Sequence, residues 1–311
     1  MSVAVPVRAP ASHDFAAGLW RLADPKISLA SAAGLLLGAA AAADDGPLAI
    51  GWLVLTVLGI FCVEVAKNAS GEVVDFDSGT DLAIRPDERS PFSGGKRVMV
   101  DGLLTRGETQ AIALAFYAAA FAIGLVITFL RETDVFWFAL AGVALAVFYH
   151  AGPVRLSYRG LGELAVAITY GPLIVLGTYL VQRGEIALAP VLLSLPLGLL
   201  VAAFLWINEF PDARADREAG KRTLVVQLGR PRASRAFVAI VAAAFGMLAF
   251  APLAGVSMGA WLGFIGLVPA VNASRALLRA PGDIAGIVPA QGQTLLAFLL
   301  YSLGTSAGLL L

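Results

Sequence analysis

Nine apolar runs, each close to the length that crosses a bilayer, leave this chain few folds to choose from. They cover 27 to 44, 48 to 70, 109 to 130, 134 to 151, 160 to 182, 187 to 208, 233 to 253, 256 to 276 and 287 to 310. A spanning helix needs about 20 residues of this kind, and in lipid every backbone polar group must pair within its own helix or barrel. The expectation is therefore an all-α polytopic bundle of nine transmembrane helices, a single domain over 27 to 311. Composition agrees: 59% hydrophobic and 14% charged residues, with a mean hydropathy of +0.81, do not fit a water-soluble surface. Residues 1 to 13 carry Pro6, Arg8 and Pro10 without an apolar core and read as a mobile tail, not a signal peptide. Phe15 to Leu22, with Trp20 and Arg21, reads as an amphipathic interfacial stretch that completes an N-terminal segment of 1 to 26. Cys62 sits alone in an apolar run and reads as a small buried hydrophobe.

The charges sort by side. The 22 basic and 22 acidic residues cancel, so no net positive field points to nucleic acid. If the N-terminus is cytoplasmic and the runs alternate, all of the 22 basic residues except Arg131 and Arg183 fall on the inner side, as retention of Lys and Arg in cytoplasmic loops requires. One helix more or fewer anywhere would scramble that separation. If the source is bacterial, the expected location is the inner membrane with the active site facing the cytoplasm.

Two inner-side connections, 71 to 108 and 209 to 232, are long, and acidic residues gather in both. At the second, Asn208, Asp212 and Asp216 recur every four residues and share one helical face. Carboxylates stacked in this way repel unless a cation lies between them, and oxygen donors suit Mg²⁺, which keeps room for water and substrate phosphate. Pro211 is positioned to loosen the helix there. At the first, Asn68, Glu72 and Asp75 share a face, and the Ser78-Gly79 turn allows Asp81 to fold back. Basic residues follow each cluster: Arg85, Arg89, Lys96 and Arg97 after the first, Lys221 and Arg222 after the second. Carboxylates, Mg²⁺ and neighbouring cations are the arrangement expected around a diphosphate.

These residues resemble the UbiA superfamily of intramembrane aromatic prenyltransferases, nine-helix bundles with an aspartate-rich motif after helix two and another after helix six. The second motif, Asn208, Asp212 and Asp216, is intact. Its continuation over 216 to 224 and 227 to 229, together with 94 to 104, 155 to 164 and 176 to 182, looks like the branch that prenylates 1,4-dihydroxy-2-naphthoate on the way to menaquinone. The first motif departs from the family pattern, because Gly71-Glu72 stands where that pattern begins Asn-Asp, while Asp75 and Asp81 match. Asn68, one turn earlier, is a substitute for the missing amide.

The resemblance implies that Mg²⁺ held by Glu72, Asp75, Asp81, Asn208, Asp212 and Asp216 binds a polyprenyl diphosphate, with Asp75, Asp81, Asp212 and Asp216 essential for catalysis. Arg85, Arg89, Lys96, Arg97, Lys221 and Arg222 would bind the diphosphate. The allylic bond ionises and an electron-rich aromatic ring attacks, in an apolar groove open to membrane lipid. The acceptor is 1,4-dihydroxy-2-naphthoate, with 4-hydroxybenzoate, another phenol or a lipid alcohol as alternatives. Asn68, Tyr149, His150, Tyr158 and Glu163 are placed in the substrate pocket. Each also has a plainer reading. Phe148, Tyr149, Tyr158 and Trp206 stabilise a cation through their ring faces or simply pack at the interface. His150 orients the acceptor or bonds a loop; Glu163 serves the site or pairs with Arg159; Glu64 is open in the same way. Trp52 and Trp137 read as outer belt anchors. A cation-coupled transporter is the rival from another class, but the acidic groups gather at one membrane face and not at the midplane.

Overall fold

The computed structural model describes residues 13–85, 88–93 and 95–311. Residues 1 to 12 of the predicted tail over 1 to 13, with Pro6, Arg8 and Pro10, and the acidic Asp87 lie outside the described residues. Among the described residues the chain is helical throughout, with one isolated bridge between Ser90 and Ser93 in place of any strand. The order is α1 (Phe15–Ala23), α2 (Pro25–Asp44), α3 (Ile50–Asp77), α4 (Thr80–Ala83), α5 (Arg106–Leu130), α6 (Val135–His150) and α7 (Gly162–Ile168). A π-helical turn (Thr169–Leu173) containing Pro172 joins α7 to α8 (Ile174–Arg183). Then come α9 (Leu188–Glu218), α10 (Leu224–Leu228), α11 (Arg230–Phe250), α12 (Leu267–Arg279, led in by a 3₁₀ stretch over Met258–Gly266) and α13 (Ile284–Leu309).

The protein is an integral membrane protein. Among the described residues seven helical segments are long and apolar enough to cross a bilayer, and α1 with α2, bent by 47°, makes an eighth if the pair is one span. Val135–His150 is apolar but shorter, at 16 residues. All nine predicted runs are thus helical, whereas the structure supports seven or eight crossings by length.

The larger difference lies at the polar ends. The runs over 48 to 70 and 187 to 208 end where apolar sequence ends, but α3 continues to Asp77 and α9 to Glu218. Helical hydrogen bonding does not stop where hydropathy falls. The acidic residues that the spacing placed on helical faces stand on these helix ends, beyond where the apolar runs stop. Gly79, with φ of 76°, provides the left-handed turn between α3 and α4. Pro211 stays inside α9.

Lipid offers no hydrophobic force between helices, so close approach of backbones must supply the packing. At the α7–α9 crossing a Cβ on Gly171 would lie 2.5 Å from the Ser194 carbonyl, and one on Gly198 would lie 2.3 Å from that of Ala167. The central core runs through α2, α8, α9, α11, α12 and α13, with Leu193, Leu197, Phe237, Phe298 and Tyr301 fully enclosed. A second cluster packs Leu22 of α1 against Val65 and Ala69 of α3 and Val98, Leu103 and Leu104 of the following connection. Thr105 caps α5 in a reciprocal box with Glu108, which fixes where that connection ends.

Candidate active site

A cavity of about 550 Å³ lies among α2, α3, α5, α6, α7, α8 and α9. One end is polar, walled by Glu72, Asp75, Lys96, His150, Asn208 and Asp212; the other is apolar and reaches Thr56, Ile127, Val135 and Val181. Asp75 and Thr56 are 19 residues apart on one helix, a rise of about 28 Å. The groove therefore follows nearly the full thickness of a bilayer core.

Each acidic helix end is held from the side. Lys221 Nζ lies 2.8 Å from Asp75 Oδ1, so the segment after α9 reaches across to α3. Burial works against the Lys221 charge, but the carboxylates of Asp75 and Asp216 outweigh it and hold the ammonium above its ordinary value. Glu72 is buried, and its Oε2 accepts the Arg97 N–H at 3.2 Å. To present that N–H, Arg97 takes a left-handed backbone with φ of 55°, an arrangement that costs about 1 kcal/mol for a residue with a side chain. Arg97 also donates through Nη1 to the Asp81 carbonyl at 2.6 Å. Asp81 is 1% exposed, and burial followed by the nearby charges of Glu72 and Asp75 pushes its carboxyl up to about 8. Glu72 Oε1, Asp81 Oδ2 and Asn208 Oδ1 are buried without a hydrogen-bond partner. Orphaned oxygens of this kind are rare in a finished interior and mark a place for a ligand. Even so, among the described residues no three His, Cys, Asp or Glu side chains stand close enough to hold a metal ion alone.

The connection between α4 and α5 is folded over the site by two clasps. Arg214 of α9 donates through Nε to Glu88 at 2.6 Å and through Nη2 to the Ala83 carbonyl at 2.8 Å. On the other side, α1 holds the connection through Arg21 to Asp101 at 2.6 Å, and Asp24, its C-cap, pairs with Lys96. Gly18 of α1 fits against Leu104, where a Cβ would meet a side-chain carbon at 2.4 Å.

The predicted residues divide accordingly. Glu72, Asp75, Asn208 and Asp212 share the cavity wall; Asp81 and Asp216 are buried beside it. Of the predicted diphosphate cations, Lys221 and Lys96 reach the polar end and Arg97 lies against Glu72 and Asp81. Arg85, Arg89 and Arg222 are exposed, and Arg89 instead lines a second basic cavity of about 590 Å³ with Arg21, Lys96 and Arg97. Tyr149 and His150 line the main cavity, as does Asn68, whose Nδ2 is committed to the Leu22 carbonyl at 2.8 Å.

Two of the predicted pocket residues stand outside the cavity lining. Glu163 does not line the cavity: its Oε1 accepts the Leu224 N–H at 2.7 Å, tying α7 to α10, while Arg159 donates to the Pro153 carbonyl and not to Glu163. Tyr158 lies outside the cavity and stitches the two connections, its hydroxyl bonding Ser78 at 3.3 Å and its ring facing Lys221 at 5.3 Å. Trp206 is buried in the core and donates to the Ala233 carbonyl.

Two cavity residues, Glu209 and Lys67, were not singled out as a site in the sequence, and Glu64 was read there as open between the site and a structural pair. Glu209 lines the wall and is 7% exposed. Lys67 and Glu64 form a polar step on α3 below Glu72, with Lys67 donating to the Tyr170 hydroxyl at 3.3 Å and Ser31 donating to Glu64 at 2.5 Å. A lysine and a glutamate inside an apolar run were the available signal.

The bundle thus carries a long apolar groove that ends between two acidic helix ends, the frame of a membrane enzyme. Residues 32–303 match the UbiA prenyltransferase family, and the chain belongs to it. It is a prenyltransferase by family. Among curated proteins it is 30% identical over 302 residues to 1,4-dihydroxy-2-naphthoate octaprenyltransferase of Haemophilus influenzae, covering 93% of this chain and 96% of that one. The protein of the same description from Bacillus subtilis is 28% identical over 240 residues, covering 76% and 73%. Among solved structures, the apo UbiA homologue from Aeropyrum pernix superposes with a TM-score of 0.67 at 19% identity over 93% of this chain and 97% of that one. The Archaeoglobus fulgidus homologue bound to GPP and Mg²⁺ gives 0.60 at 16% identity over 93% and 99%.

Proposed function

We propose that the protein transfers a polyprenyl group from a polyprenyl diphosphate to an aromatic acceptor, 1,4-dihydroxy-2-naphthoate or a close quinone precursor, in a Mg²⁺-dependent reaction. The observation that carries this reading is the polar cavity end, where two acidic helix ends and Lys221 meet at the mouth of an apolar groove. Support for the acceptor comes from the curated relatives that bear the naphthoate description.

The donor set fits Mg²⁺. Glu72, Asp75, Asp81, Asn208, Asp212 and Asp216 offer hard oxygens, with Glu72 Oε1, Asp81 Oδ2 and Asn208 Oδ1 unpaired, a chemistry that suits an ion taking one or two carboxylates and retaining water and substrate phosphate. When bound, the metal would act as a Lewis acid that neutralises charge on the departing diphosphate. The chain supplies the rest. Lys221 and Lys96 stand where the phosphate oxygens would gather negative charge, and Asp75 keeps Lys221 in place. The apolar wall takes the tail and excludes water from the allylic cation formed when the C–O bond ionises. The acceptor ring then attacks that carbon and loses a proton or its carboxylate, and the product stays in lipid. Arginine and lysine distribution favours a cytoplasmic N-terminus and active site, in the plasma membrane if the source is bacterial.

The test is a mass-spectrometric product assay on purified protein in lipid. It would use a ladder of polyprenyl diphosphates, 1,4-dihydroxy-2-naphthoate and 4-hydroxybenzoate, with Mg²⁺ or EDTA. A Mg²⁺-dependent prenylated naphthoate is expected; product with the benzoate alone would replace the acceptor, and no product with either would reject the reaction.

A further inference from the structure

We infer that Gly71 and His150 act as one unit: the absent side chain at 71 makes room for the His150 imidazole, which binds the hydroxyl of the aromatic acceptor beside the acidic site. The inference rests on the transfer reaction proposed above and adds the acceptor's contact to it.

Gly71 precedes Glu72 on α3 and lies one turn before Asp75, so it shares the face that Asp75 presents to the cavity. A Cβ on Gly71 would stand 2.7 Å from His150 Nε2 and 2.8 Å from its Cδ2. No Cβ tolerates ring atoms that close, so a side chain at 71 forces the imidazole to shift from its place. His150 ends α6, its ring meets that of Tyr149 edge-on at 4.7 Å, and both line the cavity with Asp75 and Asn208. His150 Nδ1 is buried with no hydrogen-bond partner. A buried ring nitrogen left unpaired on a cavity wall is placed for something that enters the cavity.

The chemistry favours the acceptor over the donor's head. A neutral imidazole offers one N–H and one lone pair. A phenolic hydroxyl both donates and accepts and can use either, whereas ionised phosphate oxygens only accept and meet cations better. Those cations, Lys221 and Lys96, come from the connections that cover the polar end, while His150 comes from α6. Four residues separate Gly71 from Asp75, so the imidazole lies about 6 Å deeper along α3. That is the level at which a ring would lie alongside the first carbons of a tail whose diphosphate is held at Asp75.

The test compares wild type, Gly71→Asn, His150→Ala and the double variant, all in nanodiscs. Steady-state kinetics would be run for donor and acceptor, with fluorescence binding of 1-hydroxy-2-naphthoate measured without donor. His150→Ala should raise the acceptor KM and weaken probe binding by about tenfold while the donor KM stays within about twofold, as loss of one hydrogen bond to a bound ligand predicts. Gly71→Asn should do the same by displacing the ring. The double variant should lose no more than either single variant, since both remove the same ring from its place; the shift confined to acceptor KM and probe binding, with the donor KM held, is the readout a purely packing pair would not give. His150→Asn, which retains a donor and an acceptor, should bind the probe better than His150→Ala and guards against misfolding of the smaller variant. A donor KM that rises in place of the acceptor KM, or losses that simply add in the double variant, overturns the inference. If wild type forms no product with any donor yet binds the probe in a His150-dependent way, the transfer reading falls and the acceptor site stands. If wild type turns over while probe binding and acceptor KM ignore His150→Ala, the reverse holds.

Discussion

Lys221 and Asp75 form a 2.8 Å ion pair across the cavity mouth, joining the segment after α9 to the end of α3, two elements separated by nearly half of the chain. Both side chains are largely enclosed, at 11% and 17% exposure. Removing one partner of such a pair leaves the other charge uncompensated and is strongly destabilising locally, so each residue is held in place by the other.

Asp75→Asn and Asp212→Asn are expected to reduce turnover by about a hundredfold or more, the scale seen when a preorganised electrostatic contact is lost. The bundle should persist in both, since both residues sit at the cavity and not in the central core, with Asp75→Asn also lowering the melting temperature because it leaves Lys221 without its partner. Product assays paired with thermal unfolding in detergent would check this, and near-normal activity in either variant would remove that residue from the reaction.

Glu72 should behave as an oxygen donor whose reach matters less than its charge. Glu72→Asp is expected to keep part of the activity, Glu72→Gln to lose most of it, and Glu72→Ala to lose it all. Equal loss in all three would instead assign Glu72 to holding the Arg97 N–H. Mg²⁺ titration of each variant separates the two.

Gly95 and Gly79 make a controlled pair. Both have positive φ, at 74° and 76°. A Cβ on Gly95 would meet Asp81 Oδ1 at 2.2 Å, whereas one on Gly79 would meet nothing within 4 Å. Gly79→Ala should therefore cost only backbone strain, about 1 kcal/mol, with activity retained. Gly95→Ala should displace Asp81 and lower activity as Asp81→Ala does. Paired activity and melting curves decide the matter.

Docking of the connection over the site should depend on pH through Glu88. Hydrogen bonds from Arg214 hold its carboxyl below the usual glutamate value. A carboxyl depressed in the folded state gives stability that is present above its unfolded value and lost as pH falls through the folded one. Amide protection around Glu88, taken relative to the intrinsic exchange rate at each pH, should thus be high at neutral pH and fall below about pH 4.5, the ordinary glutamate region. Glu88→Gln should exchange faster at neutral pH and lose that acid step.

What was legible in the sequence was whatever is periodic or local. The nine apolar runs are helical, the four-residue spacing of Asn208, Asp212 and Asp216 lies on one helix, and the Ser78-Gly79 break is a left-handed turn. Helix ends were misplaced because hydropathy reports where lipid stops, not where hydrogen bonding stops; α3 and α9 continue through polar sequence. Long-range pairing was not legible. Nothing near Glu163 says that its partner is the Leu224 N–H, since Arg159 one turn away offers the obvious alternative. Nor does Gly71 announce that a ring 79 residues later fills its space. Exposed Arg85, Arg89 and Arg222 match the basic pattern as well as Lys221 does, because composition cannot say which way a side chain turns.

The contacts of α1 bear on anyone who shortens or tags the protein. Because Arg21 and Asp24 hold Asp101 and Lys96, and Gly18 seats Leu104, a truncation made at the first apolar run would remove a strut of the active-site cover. Such a protein would still insert and pack its bundle. Its fault would surface as a slack entrance, easily misread as a damaged catalytic centre.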